Sequence, residues 1–218
     1  MKRAKPFFRF IFLSACLLAF QLPMQAQTLK EFFNDSNVPL FYLGIDFTKA
    51  RLIDDATANE QDIVARQYTG INELVITEAK KYDVKGAFQH NNLDHDLGFV
   101  NKRNEKANAA VIKSTSSSDF HRLKEDSIAA LVRGFDFGGK KGIGLLIVME
   151  AMSKSEKASA AWITFVDMGA KKMLFTERVE GKGSMAFGFR NYWAATVKNL
   201  LEAIEKKKYN EWKAKYGA

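Results

Sequence analysis

The chain has 218 residues, 33 Lys and Arg against 25 Asp and Glu, and a formal charge of +8. Four of those cations, Lys2, Arg3, Lys5 and Arg9, sit in the first ten residues with no acid among them. Without them the balance is +4, ordinary for a globular domain, so the basicity is no argument for a nucleic-acid partner, and the single cysteine, Cys16, leaves no internal disulfide to expect.

The first 26 residues read as a secretory signal peptide: a basic start, an uncharged apolar run from Ile11 to Phe20, then Met24-Gln25-Ala26 before a cleavage point at Gln27. Leu13-Ser14-Ala15-Cys16 offers a lipoprotein box instead. A polar tether should follow such a box, yet Leu17-Leu18-Ala19-Phe20 continues the apolar run, so ordinary cleavage near Ala26 is expected. With Cys16 removed, thiolate zinc sites and a cysteine nucleophile are excluded. No later run reaches the roughly 18 apolar residues of a spanning helix. The expected product is exported, periplasmic or outer-membrane-associated, with residues 27–218 forming one domain.

Val38 to Phe47 (VPLFYLGIDF) is apolar on both faces and reads as a buried strand. Ile71 to Tyr82 carries apolar residues at helical spacing. Residues 84–118 are polar and poorly periodic, with short strands at most. A helix is expected from Asp119 to Arg133, ended by Gly134. Three strands follow, 143–149, 161–167 and 172–180, the last two joined by the turn Met168-Gly169-Ala170-Lys171, which makes them antiparallel. A glycine-bearing loop runs from Gly181 to Arg190. The chain closes with a long helix from Asn191 to Tyr216, its buried stripe running from Trp193 through Leu200 and Ile204 to Trp212 and Tyr216. An isolated strand followed much later by a meander predicts an α+β fold, a mainly antiparallel sheet with helices packed on one face.

The meander places Glu150 and the 181–190 loop at one sheet edge. The start of the last helix lies there too, and its free N–H groups favour an anion. Gly181, Gly183 and Gly188 permit close backbone approach, Arg190 could pair with a carboxylate or phosphate, and Asn191 opens the helix. The bland alternative is that the glycines only turn the chain and Asn191 caps the helix. Gly183 and Gly188 have P-loop spacing, but Phe189 stands where a lysine is required. His90, Asp94, His95 and Asp96 bring metal-ligand types together without a fixed helical pair, so a solvated loop is the simpler reading and no metal is expected. Ser118, Asp119 and His121 are consecutive in a way that makes no triad. Lys206, Lys207, Lys208, Lys213 and Lys215 give the last helix a basic outer side, a solvated face or a contact for an acidic lipid or glycan.

The block GIGLLIVMEAMSKSEKASAAWITFVDMGAKKMLFTERVEGKGSMAFGFRNYW, with FYLGIDFTKARLID before it, resembles a family of uncharacterised secreted proteins of Bacteroidetes. That resemblance implies a cell-envelope setting and carries over no catalytic residue. By element order alone the chain has a remote likeness to the α/β domain of curli-secretion lipoproteins and to the amino-terminal domain of the Tol translocation protein. No constellation supplies a nucleophile, a base and an oxyanion site together. The expected role is therefore non-enzymatic, an envelope assembly, adhesion or binding module without a cofactor, its partner an envelope protein or glycan. The alternative is a hydrolase or carbohydrate-active enzyme, dividing acid and base roles between Glu150 and Asp46 at one sheet edge.

Overall fold

The structure, a computed structural model, describes residues 28–183 and 185–218. The expected leader, Cys16 and the cleavage point lie outside the described residues. Among the described residues six helices and seven strands follow in chain order. They are α1 (Leu29–Asn34), β1 (Leu40–Asp46), β2 (Arg51–Ile53), α2 (residues 60–77, with a π turn at Ile63–Gln67) and α3 (Val84–Ala87). Then come β3 (Leu93–His95), α4 (Gly98–Asn104), β4 (Lys113–Ser114) and α5 (Glu125–Arg133). β5 (Ile143–Ser153), β6 (Ala158–Asp167), β7 (Lys172–Lys182) and α6 (residues 189–216, with a π turn at Ile204–Lys208) complete the chain.

The sheet overturns the expectation of a mainly antiparallel α+β fold. β3, β1, β5, β2 and β4 are all parallel, and only β6 and β7 run the other way as an antiparallel extension beyond β5. β1 and β2 lie end to end along one edge of β5, β1 against residues 144–148 and β2 against 151–153. β6 occupies the whole opposite edge. The meander itself forms as expected. The parallel half went unread because β2, β3 and β4 have only three, three and two residues, too short for any period to register.

Helices cover both faces, not one. On the first, Ile143, Leu145, Ile147 and Met149 of β5 pack with α1, α2, α3 and α6 through Phe32, Tyr68, Ile71, Val84, Trp193 and Trp212. On the second, Leu146 and Val148 alternate away to meet Val100 of α4, Ile128 and Val132 of α5, and Phe135 and Phe137 beyond it. A strand buried on both faces reads as a continuous apolar run, as β1 and β5 do. No helix among the described residues is long and apolar enough to cross a membrane.

The 28-residue last helix is held along its length. Trp193 and Trp212 are both buried, and Trp212 Nε1 donates to Glu177 Oε2 at 2.6 Å. Tyr216 packs on Phe33 and Phe175. The far end therefore docks on α1 and β7, where Asn34 Nδ2 also donates to Gly217 O at 2.6 Å.

Candidate functional site

β1 does run parallel to β5, the condition under which Asp46 and Glu150 could act together. Both side chains, however, are fully buried, and each is matched by its own guanidinium. Asp46 Oδ2 accepts from Arg103 Nε at 2.7 Å while its Oδ1 takes the N–H and hydroxyl of Thr48. Glu150 stands at a bulge in β5. Its Oε2 accepts from Arg178 Nε at 2.7 Å and its Oε1 from the backbone N–H of Leu123. Arg178 in turn reaches Phe120 O at 2.6 Å and pairs with Glu180. Neither acid meets solvent, so the pair cannot divide acid and base roles on a bound glycoside. They tie the second-face segments to the sheet instead.

Sequence reasoning missed the polar network behind Asp46. Gly44 adopts φ +100 at a break in the β1 register, and a Cβ there would lie 2.6 Å from Val100 Cγ2. α4 can pack closely because that atom is missing. Beyond Gly44 the outer edge of β1 has no strand partner among the described residues, and asparagine side chains replace one. Asn72 accepts from Ile45 N at 2.7 Å and donates to Ile45 O at 3.0 Å. Asn104 accepts from Phe47 N at 2.7 Å and donates to Ile45 O at 2.9 Å. One signal was available: Asn72 falls on the apolar stripe of its helix beside Tyr68, Ile71 and Val75, where only a partnered amide is tolerated.

The glycine segment is split among separate duties. Gly181 belongs to β7, and a Cβ there would meet Thr196 O at 2.0 Å, so it sets how closely α6 lies on the strand. Gly183 N–H donates to Lys157 O at 2.5 Å, joining the segment to the β5–β6 turn. Arg190 turns towards α2, donating to Gln67 Oε1 at 3.2 Å across the space above Gly70. Asn191 is exposed, and the helix begins instead at Gly188, with φ +80 and no side-chain cap. Of the five residues, Gly188 lines a cleft.

That cleft, of about 430 Å³, is lined by Asp55, Asn59, Asp62, Lys154, Gly188 and Tyr192 among others. Lys154 Nζ lies 3.4 Å over the Tyr192 ring and 3.9 Å from Asp55 Oδ2. A second open cleft, of about 580 Å³, shares Asp55 and adds Asp54, Lys113, Ser114 and Ser116. Both clefts lie beyond the carboxyl ends of β2 and β5, the place where open parallel sheets hold ligands. A directed chain of bonds shapes the rim: Glu156 N–H to Ser153 Oγ, Ser153 Oγ to Ser155 Oγ, and Ser155 Oγ to Asp54 Oδ2 at 2.6 Å. Met185 and Phe187, preceding Gly188, are fully exposed at 103% and 96%.

The four metal-ligand types are dispersed. His90 is buried, stacks on Phe32 at 4.1 Å, and faces Val38 O with Nδ1 at 2.7 Å, which places its proton there. Asp94 and His95 are exposed on β3, and Asp96 accepts from Gly98 N at 3.0 Å. No group of three such residues among those described is placed to hold a metal. Residues 117–121 form a 3-10 turn in which Ser118 bonds Ser116 and His121 packs edge-on to Phe120. On the last helix Lys206, Lys207 and Lys208 pair with Glu202, Glu211 and Glu177. Bonds to Lys198 and Lys206 hold the Glu202 carboxyl down at about 2.

No protein-family profile, curated protein or solved structure matches the chain.

Proposed function

We propose that this protein is a non-enzymatic binding module of the cell envelope, which takes a protein partner at the carboxyl edge of its parallel strands. One observation carries the reading: Met185 and Phe187 stand fully exposed on either side of Ala186, which lines the smaller, polar cleft together with Gly188. Exposed Met and Phe at a polar rim are the composition of interaction surfaces. The leader-like first 26 residues support the envelope address. The internal neutralisation of Asp46 and Glu150 removes the motive for a carboxylate hydrolase.

Capture from cross-linked envelope tests this. The wild type should recover a reproducible protein, and the Met185→Ser/Phe187→Ser double variant should lose it while keeping its thermal stability. Turnover of a small substrate in an activity panel, with no partner recovered, overturns the proposal. Intact-mass measurement of native material tests the address: a chain starting at Gln27 supports an unlipidated exported form, and one starting at acylated Cys16 replaces it with a membrane-anchored one.

A further inference from the structure

A third cleft, of about 500 Å³, opens on the second face, lined by Asp96, Phe99, Lys102, Arg103, Lys106 and Asp136. Asp96 follows β3 directly and Asp46 ends β1. The cleft thus lies beyond the carboxyl ends of two adjacent parallel strands, on the opposite face from Trp193 and the last helix.

Arg103 is the residue around which it is built. Its Nε is committed to fully buried Asp46, and its guanidinium carbon lies 4.9 Å from the centroid of the buried Phe135 ring. The ion pair and the ring contact together hold the guanidinium in place. Its Nη groups, which carry four of its five N–H donors, have no protein partner among the described residues. The side chain is 29% exposed and lines the cleft. An arginine already held in place by a buried carboxylate loses little freedom when it grips a second, planar, two-oxygen acceptor.

Charge and shape narrow the ligand. The lining carries three cations against two acids, Asp96 and Asp136. Each acid already accepts a backbone N–H, from Gly98 and Gly138 at 3.0 Å. Asp46 behind Arg103 and Lys140, 3.9 Å from Asp96, offset one another. One positive charge is left over, which suits a monoanion better than a phosphate dianion. Phe99 forms an apolar wall, and Gly138 leaves room for its ring, since a Cβ there would fall 2.8 Å from Phe99 Cε1.

We infer that this cleft binds a small organic carboxylate, with the Nη groups of Arg103 taking the carboxylate and Phe99 the body of the ligand. The inference is independent of the protein partner proposed at the other edge.

Amide NMR titration of the protein with benzoate, acetate and inorganic phosphate tests it. Benzoate should shift the signals of Gly98, Phe99 and Gly134 and saturate in the millimolar range, ahead of acetate and phosphate. Arg103→Lys keeps a cation beside Asp46 but loses the fork, and should weaken benzoate about tenfold. Phe99→Leu should weaken benzoate and leave acetate unchanged, and it keeps the inference testable if Arg103→Lys does not fold. Phosphate saturating before benzoate overturns the carboxylate assignment. Benzoate binding unchanged in Arg103→Lys or in Phe99→Leu, or no shifts at these amides, overturns the site.

Discussion

At the scale of single residues, the buried charges are matched one to one, and that matching has a cost when it is broken. Arg178→Ala leaves Glu150 buried beside only one backbone donor, and should destabilise the fold by about 3–5 kcal/mol in denaturant unfolding. Replacing both partners, Glu150→Met with Arg178→Leu, should cost far less, because no charge is then stranded. His90 behaves differently. Burial is the main cause that pushes its pKa below the ordinary 6.5. Among the described residues its Nε2 has no hydrogen-bond partner, so the folded state resists the second proton. The unfolded chain accepts that proton first as pH falls, so stability is full above about pH 6.5 and drops on acidification towards the folded pKa. His90→Gln can still donate to Val38 O and does not titrate. Its denaturant midpoint should fall less than the wild type's between about pH 7 and pH 5. An equal fall in both proteins would remove His90 from the acid response.

Among the elements, β1, the β5–β7 meander and the final helix were legible, and the reasons are local. Val38 to Phe47 and Ile143 to Met149 are apolar on both faces, and that property already argued for parallel strands covered twice. The expectation of a mainly antiparallel sheet followed the 168–171 turn and the meander instead, because the strands that complete the parallel half are too short to show a period. The site was harder to read. Asp46 and Glu150 were visible as acids at strand ends, but Arg103 and Arg178, which neutralise them, lie 57 and 28 residues away in sequence, a distance no local pattern spans. The last helix hides one device of its own. In an uninterrupted α-helix Tyr209 would sit about 140° round from Ile204. The π turn at Ile204–Lys208 takes up the extra residue, and Ile204, Tyr209 and Trp212 all end buried. Trp212→Ala should therefore cost about as much as Trp193→Ala, roughly 3–5 kcal/mol. A markedly smaller loss at Trp212, read from thermal or denaturant unfolding, would return that end of the helix to the surface.

For the molecule as a whole, everything in the sheet refers to one strand. β5 contacts β1 and β2 on one edge and β6 on the other, while β3 and β4 hang from β1 and β2 by three and two residues. That central strand begins only at Ile143, about two thirds of the way along. A ribosome or a translocation pore delivers the chain from its amino end, so most of the polypeptide emerges before the strand that would organise it. The emerging segment has little to close upon until that strand is made. Its apolar stretches must wait unpaired for that interval, which makes a holding chaperone valuable. A chain ended at Gly142 should accordingly show no cooperative thermal transition and rapid amide exchange throughout. A protected, cooperatively melting fragment would mean that the amino-terminal part organises itself without β5.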